Sequence, residues 1–318
     1  MHFDDRDRII AAEAELAQVR VNDITIEYED FGDRDAPPIV LVMGLGAQLV
    51  RWPIELVDDL VAHGFRVIRF DNRDVGLSTK FDHAGTPNIV WTAMVQQFGR
   101  TPPVPYTLQD MAADTIGLMD ALGIEAAHIV GASMGGMIAQ LVAASWPERT
   151  LSLTSIMSTT GRSDCSRPTM RATAVLLRHP RGDDLEAIVA HGTLAANVVG
   201  GRFPMEDAFL AERIRSETLR NRHPAGFVRQ MAAIIADGDR SSRLARITAP
   251  TLVIHGSDDP LVPVAGGRET ARAIPGARLL EIDGMGHTLP PEVLPQIVAA
   301  IDAHAHGASL GEPIATAA

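Results

Sequence analysis

The sequence predicts an α/β fold: a mostly parallel sheet flanked by helices, with a helical cap inserted between its two halves. Two patterns lead to this. Short β-rich runs alternate with helical stretches from Pro38 onward, and this alternation stops near Thr159 and resumes near Ile247, with only helical periodicity between. A third observation places the chemistry: Gly131-Ala132-Ser133-Met134-Gly135 stands directly between one such run and one such helix.

A chain of 318 residues suits one large α/β domain carrying an insertion. With 46% apolar and 21% charged residues it has the composition of a folded globular chain. The formal net charge of -12 repels phosphate backbones and anionic headgroups, so neither nucleic acid nor an acidic membrane surface is an expected partner. Cys165 is the only cysteine, which excludes an internal disulfide and a cysteine metal cluster. Lys80, the only lysine, falls in a loop expected to be exposed, which gives Schiff-base chemistry little footing. The first residues are acidic and interrupted by charge, without the basic start and apolar stretch of a secretory signal. No run of about 18 apolar residues occurs. A cytoplasmic protein is the expectation.

In chain order, residues 5–19 read as an amphipathic helix with Ile9, Ile10, Leu16 and Val19 apolar. This N-terminal extension (1–19) is expected to pack on the domain; a homodimer contact is the alternative. Alternation from Val21 to Tyr28 predicts a half-exposed antiparallel edge strand. Strands follow at 38–42, 65–70, 127–130, 151–156, 250–255 and 278–282, and helices at 53–63, 108–122, 134–145 and 264–273. These define a core of 20–158 and 245–304. The cap, 159–244, contains helical patterns at 167–177, 184–198, 206–220 and 224–236. Residues 305–318 turn small and polar and are expected to form a flexible tail.

Gly131-Ala132-Ser133-Met134-Gly135-Gly136 follows the apolar run ending at Val130 and opens a helix, the setting of a nucleophile elbow. The turn is so tight that Gly131 and Gly135 leave no space for a Cβ, and it pushes Ser133 Oγ outward at a backbone cost of about 1–3 kcal/mol. A hydroxyl is a weak nucleophile and needs a base, itself oriented by an acid. In this chain order the acid follows the serine and the histidine comes last. Gly256-Ser257-Asp258-Asp259-Pro260 ends a strand, and either aspartate qualifies; Asp259 is preferred because a residue before proline is held extended. Asp258 is the alternative, with loop capping as its other role. His287, in Asp283-Gly284-Met285-Gly286-His287, is the histidine directly after the final strand, where two glycines free the loop. His255 ends a strand and suits a buried structural role.

One oxyanion donor is expected from the residue after the nucleophile, Met134 N–H, and the second from the loop Met43-Gly44-Leu45-Gly46-Ala47, with Leu45 N–H chosen. Gly44-x-Gly46 after a strand, with Asp71 ending the next strand, also suggests a dinucleotide fingerprint, but Leu49 stands where its third glycine is required.

Taken together, the elbow, Gly44-Leu45-Gly46 with nearby Trp52, Asp71-Asn72-Arg73-Asp74-Val75-Gly76-Leu77-Ser78, Gly256-Ser257-Asp258-Asp259-Pro260 and Gly284-Met285-Gly286-His287 resemble α/β-hydrolase-fold serine esterases over about residues 21–304. Within these the resemblance is nearest to the aclacinomycin methylesterase type, through Val42-Met43-Gly44, Arg69 to Asp74, Ser133-Met134-Gly135 and Gly286-His287-Thr288-Leu289-Pro290. Met43 replaces the histidine common in the wider superfamily. The resemblance implies hydrolysis of a carboxylic ester of a small to medium apolar molecule, with no cofactor and no metal. It implies that Asp71 to Ser78 hold a loop. Thioesterase, lactonase and C–C bond hydrolase activities share the triad, as does a hydrolase-fold receptor with little turnover. Epoxide hydrolase and dehalogenase relatives carry aspartate at the elbow, where this chain has Ser133. The cap arginines Arg171, Arg178, Arg213, Arg215, Arg220 and Arg229 are expected mostly on solvated helix faces, with a substrate carboxylate as an alternative partner for one of them.

Overall fold

The computed structural model describes residues 17–307 apart from 163, 165, 166, 179 and 183. Cys165, most of the expected N-terminal helix and the expected tail from 308 onward lie outside the described residues. Eight strands, β1 (Ala17–Val21), β2 (Ile24–Phe31), β3 (Pro38–Val42), β4 (Arg66–Phe70), β5 (Ala127–Ala132), β6 (Thr150–Ile156), β7 (Thr251–Gly256) and β8 (Arg278–Ile282), form one sheet in the order β1-β2-β4-β3-β5-β6-β7-β8. From β4 to β8 all neighbours are parallel. Helices are α1 (Ile54–Ala62), α2 (Ile89–Gln97), α3 (Leu108–Ala121), α4 (Met134–Ser145), α5 (Met170–Leu177), α6 (Leu185–Val199), α7 (Asp207–Arg220), α8 (Pro224–Asp237), α9 (Ser241–Leu244), α10 (Val264–Ala273) and α11 (Leu294–Ala305).

Strand β3 is apolar on both faces because helices cover both. In β3, Val40 and Val42 join the core with Met111 and Leu118 of α3 and Ile138 and Leu141 of α4. Ile39 and Leu41 point the other way, to Leu56 and Leu60 of α1 and Ile297 and Ile301 of α11. This period of two across a doubly covered sheet is why β3 reads as an unbroken apolar run. The chain reverses its direction of winding at β3, between β4 and β5, and opens there the crevice in which α/β sheets hold ligands.

Two expectations about the N-terminal region are corrected. Ala17 to Val19, read as the end of a helix, belong to β1, and the single edge strand is a hairpin in which β2 pairs antiparallel with both β1 and β4. Asn22 and Asp23 both have positive φ (47° and 66°), the backbone of a two-residue turn that keeps the strands' twist. Thus β1, not β2, is the edge.

Between the adjacent parallel strands β6 and β7 the chain forms α5 to α9 and no named strand among the described residues. α5 to α8 fall where helical periodicity placed them. α2, α9 and α11 lie outside the helical stretches named above. In α2 only Thr92 is buried, while Val90, Trp91 and Met94 are exposed, so no inward apolar stripe marks it; Asn88 caps it by accepting Trp91 N–H at 3.0 Å.

Candidate active site

β5 ends at Ala132 and α4 begins at Met134, leaving Ser133 alone in the turn with φ 57° and ψ -121°. For a residue with a Cβ this is strained backbone. A Cβ on Gly131 would stand 2.1 Å from Gly135 O, and one on Gly135 would stand 1.9 Å from Val42 O. Neither position accepts a side chain. Ser133 N–H donates to Ile156 O (2.9 Å), and Ser158 Oγ–H donates to Ser133 O (2.8 Å), so the peptide groups flanking the serine are tied to β6 and the loop after it.

The structure brings Ser133, Asp259 and His287 into one chain of hydrogen bonds. Ser133 Oγ lies 2.9 Å from His287 Nε2, and His287 Nδ1 lies 2.7 Å from Asp259 Oδ2. With Nδ1–H donating to the carboxylate, the Nε2 lone pair faces the hydroxyl. The other oxygen, Asp259 Oδ1, accepts Leu261 N–H (2.9 Å) and Val262 N–H (2.8 Å), so the carboxylate is fixed on both sides in a side chain with no solvent exposure. Asp258 turns outward to Arg202 Nε (2.8 Å) and Ser257 Oγ–H (2.8 Å). The Arg202 guanidinium beside it holds its carboxyl below the usual range. His255 is buried and donates to Val262 O (2.7 Å); burial lowers its pKa, keeping it neutral in the structural setting expected for it.

The loop carrying His287 is shaped by the helical segment between β6 and β7. His287 N–H donates to Val199 O at the end of α6 (2.6 Å), Arg202 N–H donates to Gly284 O (2.8 Å), and Gly201 bridges Met285. A Cβ on Gly286 would sit 2.2 Å from Val199 O. The sequence suggests that both loop glycines, Gly284 and Gly286, supply conformational freedom. Gly284, at φ 76°, fits that, whereas Gly286 gives room for another backbone.

Gly44 passes above the serine: a Cβ there would lie 3.1 Å from Ser133 Cβ. Met134 N–H opens α4, where the helix end favours negative charge. Among the described residues, neither Leu45 N–H nor Met134 N–H donates to a protein acceptor. The loop itself is anchored by Asn72, from the motif expected to hold a loop, and by Gln230, which sequence reasoning misses. Asn72 Nδ2 donates to Met43 O (2.9 Å), and Gln230 Oε1 accepts Gly46 N–H (2.8 Å). Gln230 lies in α8, far along the chain, and no local motif marks it.

Asp71 to Ser78 hold a loop, as the resemblance implies. Asp71 Oδ1 accepts Leu49 N–H (2.7 Å), and Oδ2 accepts Leu77 N–H (2.8 Å) and Arg220 Nη1 (2.7 Å). Both oxygens are engaged inside the protein, which removes Asp71 as a ribose-binding acid. Asp74 Oδ1 and Oδ2 receive Arg229 (2.8 and 2.7 Å), with Tyr106 OH at 2.6 Å and Phe81 N–H at 2.8 Å. Burial alone would raise the pKa of Asp74, but these donors outweigh it and hold the group below the ordinary value.

Arg229, fully buried, and Arg220, mostly buried, therefore correct the expectation that the insertion's arginines sit on solvated faces. They face the core because its loop presents buried carboxylates. Arg215 fits the surface reading, pairing with exposed Glu186, and the Arg213 guanidinium stands over the Phe209 ring. Lys80 is also corrected: it is half-buried and donates to Gly76 O and Ser78 O (2.5 Å each). Among the described residues no group of three or more His, Cys, Asp or Glu is placed to hold a metal ion, and no helix is long and apolar enough to cross a membrane.

The family pattern of the alpha/beta hydrolase fold matches residues 37–292. Rhodomycin D methylesterase of a Streptomyces species is 31% identical over 91% of this chain and 97% of its own length. The enol-lactonase of Burkholderia xenovorans is 26% identical, with a TM-score of 0.67 over 91% of this chain and 99% of that one. A meta-cleavage product hydrolase of Pseudomonas fluorescens has a TM-score of 0.71 over 92% of this chain and 98% of that one; at 20% identity it supports the fold.

Proposed function

Because the chain belongs to the α/β-hydrolase fold family, we propose that it is a serine esterase in which Ser133, His287 and Asp259 form the catalytic triad. The observation that carries this reading is the unbroken contact from Ser133 Oγ to His287 Nε2 (2.9 Å) and from His287 Nδ1 to Asp259 Oδ2 (2.7 Å). His287 takes the hydroxyl proton as Ser133 Oγ attacks the ester carbonyl. Asp259 holds the imidazole tautomer and steadies its charged form. Leu45 N–H and Met134 N–H bind the tetrahedral oxyanion, each such donor contributing about 10²–10³ in turnover. His287 then protonates the leaving alcohol, the acyl-enzyme forms, and water activated by the same histidine releases the acid and restores Ser133.

In this reading residues 20–158 and 245–304 are the hydrolase core, residues 159–244 are the cap that shapes the substrate site, and the enzyme works in the cytoplasm. The substrate class is a carboxylic ester of a small to medium apolar molecule. The similar rhodomycin D methylesterase favours a methyl ester, with a small leaving alcohol and the apolar body on the acid side.

Fluorophosphonate labelling with peptide mapping tests the nucleophile: the label is expected on Ser133. Ser133→Ala is expected to lose labelling and about 10⁴-fold or more of kcat on a nitrophenyl ester. Esterolysis at the wild-type rate in that variant refutes the assignment, and a wild-type protein that binds esters tightly with a single slow turnover is a receptor instead.

A further inference from the structure

We propose that Gln230 is a positioning residue for the oxyanion loop, so that the helical insertion builds part of the catalytic apparatus besides covering it. This rests on the reading of Leu45 N–H as an oxyanion donor. Gln230 is fully buried in α8, and both ends of its amide are used: Oε1 accepts Gly46 N–H (2.8 Å) and Nε2 donates to Arg73 O (2.8 Å). One partner is an N–H and the other a carbonyl, so only this orientation of the amide satisfies both.

The loop that Gln230 holds has weak internal support. Its own turn closes through Ala47 N–H to Gly44 O at 3.3 Å, and it contains Gly46 at φ 66°. Three side chains from outside hold its backbone groups, and the Gln48 side chain near its end donates to Glu217 O (2.6 Å) and Asn221 O (2.7 Å) and accepts from Arg220 Nη1 (2.6 Å). Asn72 holds Met43 O at its start, Asp71 holds Leu49 N–H at its end, and Gln230 holds Gly46 N–H between them. Of the three contacts to loop backbone, the first two come from the core segment after β4 and the middle one from the insertion, which also grips the Gln48 side chain through α7 and Asn221.

That middle contact bears most directly on catalysis. The peptide plane joining Leu45 to Gly46 is rigid, so fixing Gly46 N–H fixes the Leu45 carbonyl with it. The Leu45 N–H direction is then set through two dihedrals of a single residue. Phe227, one turn earlier in α8, closes the same position: a Cβ on Gly46 would meet its ring at 2.6 Å. α8 is itself anchored, because neighbouring Arg229 makes two bonds to Asp74. Oxyanion stabilisation depends on donors already aimed where charge develops, and a loop free to turn would have to be ordered at each turnover.

The test uses Gln230→Met, which keeps similar bulk without the amide, on the full chain. Its kcat on a nitrophenyl ester is expected to fall 10- to 100-fold while KM stays within threefold. Affinity for a trifluoromethyl ketone, which forms a tetrahedral adduct on the serine, should weaken by the same factor. The pH profile of kcat/KM should keep its midpoint. A purely structural role would lower Tm without separating ketone affinity from KM. Gln230→Asn, one methylene too short to span both partners, serves if the first variant does not fold and should show the same selective loss. Ketone affinity within twofold of wild type in a folded variant overturns the proposal. If wild-type Ser133 takes no fluorophosphonate, the esterase reading has failed instead, whatever Gln230 does.

Discussion

Asp258 and Asp259 share one turn, yet the backbone before Pro260 sends their carboxylates to different partners. Asp259 is buried against His287 and two amides, while Asp258 meets Arg202 at the surface. The two positions should respond very differently to the same substitution. Asp259→Asn keeps the shape but presents an amide to Nδ1, which favours the wrong imidazole tautomer, and kcat is expected to fall about 10³–10⁴-fold. Asp258→Asn should leave kcat within about twofold and cost under about 1 kcal/mol of stability, because an exposed ion pair contributes little. Steady-state kinetics of both variants, with denaturant unfolding of the second, decide the assignment. Equal losses of kcat would remove Asp259 from the triad.

The elements that sequence reasoning located well are those whose burial leaves a periodic trace. β3 to β8 are apolar runs between helices, and α5 to α8 carry the periodicity of helices packed on one side. Two elements left no such trace: α2 buries only Thr92, and the β1–β2 hairpin turns on Asn22-Asp23, a pair without the glycine that would have announced positive φ. The site divides in the same way. Ser133, Asp259 and His287 sit in turns with local grammar, namely two elbow glycines, a following proline and a glycine-bracketed loop. Gln230 and Val199 act through contacts to backbone groups far away in sequence, which no local pattern encodes, whereas Asn72 stands inside the motif Asp71 to Ser78. Gly286 shows how such contacts constrain an element. Its missing Cβ makes room for Val199 O, so Gly286→Ala must push the His287 loop away from the insertion. Since a misplacement of about 1 Å costs on the order of 10²-fold in rate, kcat should fall at least about 10-fold with secondary structure retained by circular dichroism. Wild-type turnover in that variant would show that the contact is not needed to seat the histidine.

For the whole molecule, acid acts on buried groups in two places, Asp74 in the segment after β4 and His128 near the start of β5. Asp74 ties α8 to the core, and its pKa is held below the ordinary carboxylate value, so its contribution is complete above the unfolded pKa and is lost as pH falls through the folded one. That loss belongs to strongly acid solution. His128 responds earlier. It lies buried in β5, hydrogen-bonded to Ser152 Oγ (2.8 Å) and near His304 and His306, and burial lowers its pKa from 6.5 to about 4. The unfolded chain therefore binds a proton in this window that the folded chain refuses, so stability falls as pH drops from about 6.5 toward about 4. By pH 5 the loss attributable to this one residue is about 2 kcal/mol. Burial also lowers the pKa values of His255 and His304, and their losses add to it. His128→Gln removes only the His128 share. Urea unfolding at pH 7 and pH 5 should show a smaller drop in the variant than in wild type, by about 2 kcal/mol. An identical drop in both proteins would mean that His128 does not govern the acid response.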